Sequence, residues 1–237
     1  MLDILYKDEH LIAINKPHGL LVHRTGMAAD AKEFALQLLR DQLGRTVYPA
    51  HRIDRKTGGV LLFALSQEVN SHMQKQFAAN QVDKIYHAIV RGNMPEHGII
   101  DYPLKNDQGK VQDAITVYKC LKNCEIPLPF GKFKTSRYSF VEIYPKSGRN
   151  HQIRKHFAHI MHPVIGDRPH GCNKQNGLFK SKWDMTTMLL HAYEIQFDHP
   201  VTKSRVSISA TYQSEFNRML VLLFNHIAEV DDLNVSK

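Results

Sequence analysis

The stretch from His51 to Leu65, HRIDRKTGGVLLFAL, holds the pattern from which both fold and chemistry follow. Its first half places one carboxylate, Asp54, among basic side chains and ends in two glycines, which permit close approach of another backbone. Its second half is short and apolar, as a buried strand should be. Basic neighbours favour an ionised carboxylate, so Asp54 is predicted to act as a nucleophile or base in an active-site loop. The alternative is an exposed ion pair, which contributes little to stability.

Outside this stretch, the pattern of apolar residues and turn signals predicts a mixture of strands and helices. Strands are expected at 4–6, 11–14, 60–65, 84–91, 135–144, 189–197 and 205–210, helices at 30–43, 66–80, 148–162 and 214–227, and long loops at 123–134 and 170–184. Gly44 is a stop signal for the first helix, and Ser66 is a candidate N-cap for the second. Because strands and helices do not alternate regularly, the fold class is predicted to be α+β.

The charge balance points to a polyanionic partner. The 237-residue chain carries 31 basic and 23 acidic residues, a formal net charge of +8. The excess is uneven, since residues 132–155 hold seven basic side chains and a single acid, Glu142. Such a segment can follow a phosphate backbone, so nucleic acid is the expected partner, and no obligate protein partner is evident.

Other features of the composition exclude several classes of protein. The three cysteines lack paired spacing, which argues against a disulfide framework or a zinc ribbon. The N-terminus has no apolar signal core, and the longest apolar run is far too short to span a bilayer. We therefore expect a cytoplasmic protein with no membrane association.

At His51 to Gly59 the sequence resembles the pseudouridine synthases, in the branch of RNA uridine isomerases related to ribosomal large-subunit uridine synthase A. The signature of that branch reads His-Arg-Leu-Asp-x-x-Thr-Ser-Gly; here Ile53 replaces the leucine and Gly58 replaces the serine. Further family segments follow in matching order: INKPHGLLVH at 14–23, KIY at 84–86, GRNHQIR at 148–154 and HPVIGD at 162–167. The resemblance runs from about residue 2 to residue 210.

The resemblance implies a pseudouridine synthase fold, with a mixed, mainly antiparallel sheet, flanking helices and a central catalytic cleft. It also implies that residues 1–237 form a single catalytic domain with no separate N-terminal RNA-binding domain. Among such stand-alone forms, the sequence is most similar to those that modify uridine 65 in the T-stem of tRNA. The expected partner is thus RNA, in particular tRNA.

Pseudouridine is the carbon-linked isomer of uridine, so its formation breaks the N1 bond to the ribose, turns the uracil and forms a C5 bond. No redox change or energy source is needed, and no cofactor is expected. The reaction requires a nucleophilic or basic group near the ribose, and Asp54 supplies it. Asp54 could attack C1′ of the ribose or remove a proton from C2′; the sequence does not distinguish the two routes.

The resemblance also implies roles for two further catalytic residues. Arg154, on the flank of the expected 148–162 helix, would form the ion pair that orients Asp54, since a guanidinium can hold a carboxylate in one geometry. The alternative is a solvated helix arginine. Tyr86 would stack on the uracil and take part in proton transfer. The alternative for Tyr86 is a place in the hydrophobic core.

A uridine in a helical stem hides its glycosidic bond, so the nucleotide must be flipped out of the stack. The resemblance places Arg52 where it can fill the gap. The other predicted RNA contacts are basic residues near Asp54 or at the start of the expected helix, where free backbone N–H groups attract phosphate: His51, Arg55, Arg149 and His151.

Three alternatives to this enzyme remain. The 15 histidines suggest a metal-dependent phosphodiesterase, with His151, His156, His159 and His162 as the candidate ligands. No His-Glu-x-x-His motif is present, so we expect no metal site. A non-catalytic RNA-binding protein would explain the charge, and a ribosomal-RNA synthase of the same branch would explain every motif.

Overall fold

The computed structural model describes residues 1–23 and 33–224 of the 237-residue chain. The chain forms two compact units, each made from separate segments. Of the described residues, those within Met1–Tyr86, Tyr144–His151 and Leu190–Gln213 form unit 1, and those within His87–Ile143, Gln152–Leu189 and 214–224 form unit 2. The expectation of one catalytic domain stays a prediction.

Within the described residues the strands, in chain order, are β1 Asp3–Lys7, β2 Leu11–Lys16, β3 Tyr48–Pro49, β4 Gly58–Ala64, β5 Asp83–Arg91, β6 His97–Asp101, β7 Leu104–Lys105, β8 Val111–Gln112, β9 Ile115–Ile126, β10 Ser136–Pro145, β11 Leu190–Asp198 and β12 Arg205–Ser209. The helices are α1 Ala35–Leu43, α2 Gln67–Ala78, α3 Gln152–His159, α4 Asn173–Trp183 and α5 Ser214–Phe224. The large sheet is mainly antiparallel, which confirms the predicted α+β class. None of the helices in the described ranges has the length and hydropathy to cross a membrane.

In unit 1 the central strand is β4, all of whose residues are buried. It pairs antiparallel with β2 and β3 and parallel with β11, which in turn pairs antiparallel with β12. The predicted opening hairpin is confirmed, because β1 pairs antiparallel with β2. Ser66 caps α2 as expected, since its Oγ accepts a hydrogen bond from the backbone N–H of Val69.

The second glycine of the opening stretch is needed where β4 meets β11. Gly59 has φ +107°, a conformation that residues with a side chain rarely adopt. A Cβ atom there would also collide with the carbonyl group of Ala192, its partner on β11. The close backbone approach predicted for these glycines is therefore confirmed at Gly59.

In unit 2, strand β9 pairs antiparallel with β6, and β10 lies on its other side. Helix α3 buries Ile153 and Phe157, while helix α5 buries Phe216, Met219 and Leu223. Strand β10 buries Tyr138 and Phe140, so the aromatic residues of this strand belong to the core.

Several predicted boundaries were wrong. Helix α1 begins at Ala35, so the described residues 33 and 34 precede it. Helix α3 begins at Gln152, not at Gly148, and ends at His159. The expected loop at 170–184 contains helix α4, whose polar sequence gives only a weak apolar face. The expected loop at 123–134 begins inside the long strand β9. Residues 30–32 and 225–227, expected at helix ends, lie outside the described residues.

Candidate active site

The backbone around Asp54 is tied to the segment that follows β2. The carbonyl oxygen of Arg55 accepts hydrogen bonds from the Gly19 N–H at 2.9 Å and from Lys16 Nζ at 3.1 Å. In return, Arg55 Nε donates to the carbonyl oxygen of Gly19 at 3.0 Å. The Thr57 N–H donates to the carbonyl of Asp54 at 3.0 Å and closes a tight turn. These bonds fix the position from which the Asp54 side chain projects.

Lys16 is the buried cation that joins the two segments. Its side chain is fully buried, and Nζ also donates to the carbonyl oxygens of Pro17 and Leu20, at 3.0 and 2.8 Å. Burial lowers the pKa of Lys16 to about 7, while the negative charge of Asp54 raises it. Three carbonyl acceptors and a nearby carboxylate meet the requirement that a buried ammonium group be compensated.

The Asp54 side chain keeps about a fifth of its surface exposed, with a relative exposure of 21%. Nε2 of His151 lies 4.0 Å from Asp54 Oδ1, at the outer limit of an ion pair. His151 has φ +56°, in the left-handed region, and directly precedes helix α3 in sequence. This backbone conformation is uncommon for a residue with a side chain and is often found at functional sites.

Tyr86, at the unit 1 end of β5, lies close enough to Asp54 to respond to its charge. The side chain is half-buried and packs on the hydrophobic cluster that includes Ile53 and Leu61. Burial raises the pKa of Tyr86 well above its usual value, and the negative charge of Asp54 raises it further. The phenol therefore keeps its proton at neutral pH. The interpretation of Tyr86 as a core residue and its interpretation as a site residue are compatible here.

The side chains predicted to contact RNA differ in their exposure and in their contacts within the protein. Arg52 and Arg55 are exposed, and Arg149 is half-buried in the segment before helix α3. Arg149 is not in the first turn of that helix, so the helix N-terminus does not explain a phosphate contact there.

His51 differs from these arginines because contacts within unit 1 hold its ring. Its Nε2 accepts a hydrogen bond from the Leu62 N–H at 3.1 Å, and its ring stacks on Phe77 with centroids 4.8 Å apart. Burial lowers the pKa of His51 to about 3, so the ring is neutral. These contacts favour a structural role in holding the loop against β4, and the predicted RNA contact of this side chain remains untested.

Arg154 lies in unit 2, where it forms a buried ion pair. Its Nε and Nη2 donate to the two carboxylate oxygens of Asp167, both at 2.8 Å. The two side chains are only 7% and 1% exposed. The predicted alternative of a solvated helix arginine is therefore wrong. The bidentate geometry fixes the plane of the guanidinium group, and the pairing of Arg154 with Asp54 stays a prediction.

Three of the four histidines that were candidate metal ligands have other partners in unit 2. His156 is fully buried, with Nδ1 at 2.9 Å from Thr116 Oγ1 and Nε2 at 2.9 Å from the carbonyl oxygen of Tyr102. The ring of His159 stacks on Tyr102 at 3.6 Å, and Nδ1 of His162 lies 2.7 Å from the carbonyl of Arg91. His156 therefore belongs to the core of unit 2.

Sequence reasoning assigned no role to Lys16 or Asp167, although both lie in quoted family segments. For Lys16 the signal is its place at the end of an apolar strand, where a buried ammonium group needs acceptors. For Asp167 no local signal distinguishes a buried carboxylate from an exposed one. Only the fold brings Asp167 to Arg154.

A profile of the RNA pseudouridylate synthases matches residues 10–159. This range contains the Asp54 loop, Tyr86 and Arg154, and it covers more than half of the chain. The chain belongs to the RNA pseudouridylate synthase family. It is an isomerase that converts uridine to pseudouridine, as the resemblance implied.

Relatives of this pseudouridylate synthase extend the match to almost the whole chain. The chain is 46% identical over 232 residues to tRNA pseudouridine synthase C of Vibrio parahaemolyticus, covering 92% of this chain and 94% of the relative. It is 48% identical over 221 residues to the enzyme of the same name from Vibrio vulnificus, covering 89% and 90%.

Solved structures show the same fold. Human RNA pseudouridylate synthase domain containing 4 superimposes with a TM-score of 0.70 at 25% identity, covering 92% of this chain and 91% of that one. Human RNA pseudouridylate synthase domain containing 1 gives a TM-score of 0.71 at 21% identity, with coverage of 90% and 84%. The predicted pseudouridine synthase fold is confirmed.

Proposed function

We propose that the protein is a tRNA pseudouridine synthase that isomerises uridine 65 in the T-stem, without a cofactor, and that Asp54 carries out the reaction. The observation that carries the tRNA assignment is the identity of 46% and 48% to two enzymes named tRNA pseudouridine synthase C, over about nine tenths of each chain. With tRNA as substrate, the expected location is the cytoplasm.

The surroundings of Asp54 support its catalytic role. Its backbone is fixed by bonds from Lys16 and Gly19 to the neighbouring carbonyl of Arg55, and its side chain is partly exposed. A fixed but accessible carboxylate can reach the ribose of a bound uridine with little reorganisation. Attack at C1′ and proton removal from C2′ both remain open.

Tyr86 would serve the rearrangement as a neutral phenol beside this carboxylate. Because burial and the Asp54 charge both raise its pKa, Tyr86 keeps a proton that it can share with the detached uracil. Its ring offers a face on which the base can stack while it turns.

Arg154 is proposed as the residue that orients Asp54, as the family resemblance implies. The support from unit 2 is that two of its nitrogen atoms are held by Asp167, which fixes the guanidinium group before substrate binds. A guanidinium with a fixed plane positions a carboxylate better than a flexible side chain does.

For RNA binding we propose that Arg52 fills the gap left by the flipped nucleotide and that Arg55 and Arg149 contact the phosphate backbone. His51 and His151 are proposed to contact the RNA beside them. Arg52 is exposed two residues from Asp54, as a side chain that fills the gap left by a flipped nucleotide must be. The two exposed arginines supply charge that a phosphate backbone attracts.

The function is tested by incubating the purified protein with unmodified total tRNA and, separately, unmodified ribosomal RNA. Pseudouridine is then mapped by carbodiimide adducts and primer-extension stops, with Asp54→Asn as the control. The expected result is one stop in the tRNA T-stem that disappears with Asp54→Asn. A stop in ribosomal RNA alone would assign the enzyme to the other substrate of its branch.

Two further outcomes would contradict the proposal. Binding of tRNA with no stop in either RNA would indicate an RNA-binding protein without activity. Shortened RNA, prevented by EDTA, would indicate a metal-dependent phosphodiesterase.

A further inference from the structure

Gly58 stands where the family signature has serine, and the structure shows what occupies the space of the missing side chain. The φ of Gly58 is outside the left-handed region, so backbone strain does not demand glycine. A Cβ atom there would lie 2.9 Å from both Cδ and Nε2 of Gln213 and 3.1 Å from Cδ2 of His18. Real Cβ atoms essentially never lie within 3.0 Å of such a neighbour, so the two contacts with Gln213 are too short. A side chain at position 58 therefore requires the Gln213 amide to move.

The Gln213 amide is held by the segment that follows β2. Its Nε2 donates to the carbonyl oxygen of Lys16 at 2.7 Å, and its Oε1 accepts from the backbone N–H of His18 at 2.9 Å. Because both a donor and the acceptor of the amide are used, its orientation is defined. One side chain thus fixes the backbone at both Lys16 and His18.

The same backbone segment holds the loop that carries Asp54. Lys16 donates through Nζ to the carbonyl of Arg55, and the Gly19 N–H donates to the same oxygen. Gln213 is therefore linked to the residue after Asp54 by a series of two hydrogen bonds, one to the carbonyl of Lys16 and one from its Nζ, with the Lys16 side chain between them. If the Gln213 amide is displaced, the first bond of this series is lost.

We propose that Gln213 is a positioning residue for Asp54, acting through Lys16, and that position 58 is glycine because the Gln213 amide fills the space of the family's serine side chain. The proposal rests on the proposed catalytic role of Asp54. Gln213 has no contact with reacting atoms in this scheme. Its loss should therefore change the turnover of bound tRNA more than the binding of tRNA.

The test is a double-mutant cycle in the full-length protein, with kcat and KM measured on unmodified tRNA. Gly58→Ser and Gln213→Ala are each expected to lower kcat about tenfold and to leave KM within about twofold. The double variant should stay at about the level of Gln213→Ala alone, because Gly58→Ser then displaces an amide that is already absent. Gly177→Ser is the matched control, since Gly177 is exposed and a Cβ there has no neighbour within 4 Å.

Amide hydrogen exchange gives a second measurement that does not depend on activity. The N–H groups of Gly19 and Thr57 report on the bonds that hold the loop. Both should exchange faster in Gly58→Ser and in Gln213→Ala than in the wild type, and at the wild-type rate in Gly177→Ser. Gln213→Glu keeps the acceptor for His18 but loses the donor to Lys16, so it should show intermediate exchange.

The outcomes separate this inference from the proposed function. A wild-type protein that makes no pseudouridine, but whose loop amides respond as expected, would overturn the proposed function and leave the positioning role in place. An active wild type with unchanged kcat and exchange in both single variants would overturn the positioning role alone. A double variant whose loss equals the product of the single losses would also overturn it, because it would show that the two sites are independent.

Discussion

Asp54 in unit 1 and Asp167 in unit 2 are each followed by arginine, yet they differ in burial and in how they are held. Asp167 is 1% exposed and binds Arg154 through both carboxylate oxygens. Asp54 is 21% exposed, and its loop is held through the neighbouring carbonyl of Arg55. A carboxylate inside a closed ion pair stabilises a fold, whereas an accessible carboxylate on a fixed backbone can react. Burial, more than adjacent charge, therefore distinguishes the two carboxylates.

The largest effect on stability is expected from breaking the buried pair. Asp167→Asn leaves the Arg154 cation buried without its partner charge, which should lower the free energy of unfolding by about 3–5 kcal/mol. Urea unfolding of the variant and the wild type measures this change. If Asp167→Asn unfolds at the wild-type urea concentration, the contrast between the two carboxylates is wrong.

Removing the phenol hydroxyl of Tyr86 should affect activity without affecting stability. Tyr86→Phe keeps the ring that packs on Ile53 but removes the proton, so kcat should fall about 100-fold with KM within twofold. Single-turnover assays on tRNA and thermal unfolding check the two halves of this prediction. A large loss of stability with normal turnover would assign Tyr86 to the core alone.

Acid should lower the stability of the protein, because His51 in unit 1 is neutral when folded and takes up a proton when unfolded. The pKa of His51 is about 3 in the folded protein and about 6.5 when unfolded, so between these values only the unfolded state takes up the proton. Its stabilising contribution is complete above pH 6.5 and is lost as the pH falls toward 3. Between pH 7 and pH 5 the titration of His51 should lower the free energy of unfolding by about 2 kcal/mol.

The His51 prediction is checked by urea unfolding at both pH values. His51→Gln keeps an acceptor for the Leu62 N–H but does not titrate in this range, so its stability should change less between pH 7 and pH 5 than that of the wild type. An equal change in the two proteins would show that His51 does not contribute.

The smallest effect is expected at Arg149. Arg149→Ala should raise KM for tRNA about threefold and lower the salt dependence of log KM by about one phosphate contact, while kcat stays unchanged. Steady-state assays at several salt concentrations measure both quantities. An unchanged salt dependence would remove Arg149 from the proposed RNA contacts.

Much of the fold was predictable because local patterns determine it. The buried strand after Gly59, the cap at Ser66 and the opening hairpin depend on residues close together in sequence. The missed helix α4 has few apolar residues, and its buried Gln175 and Phe179 gain their role only from packing. The start of α3 was placed too early because the sequence does not indicate that the backbone at His151 adopts a left-handed φ before the helix begins.

The residues of the candidate site also divide into those that local motifs indicate and those that only the fold brings together. Asp54 and Tyr86 were proposed from motifs that occupy a few adjacent residues. The role of Lys16 as a buried cation, the ion pair of Asp167 and the position of Gln213 depend on contacts between distant segments, which a single sequence does not reveal. The place of His156 in the core likewise depends on its bonds to Thr116 and Tyr102, which are distant in sequence.

The most direct test of the central claim is tritium release from tRNA labelled at C5 of uridine, because C5 loses its hydrogen only when the carbon bond to ribose forms. The amount of tritium that the wild-type protein releases should match the label carried by the T-stem uridine. Asp54→Asn, with unchanged thermal unfolding, should reduce the rate at least about 10⁴-fold. Release by Asp54→Asn at the wild-type rate would contradict the assignment of Asp54 as the catalytic residue.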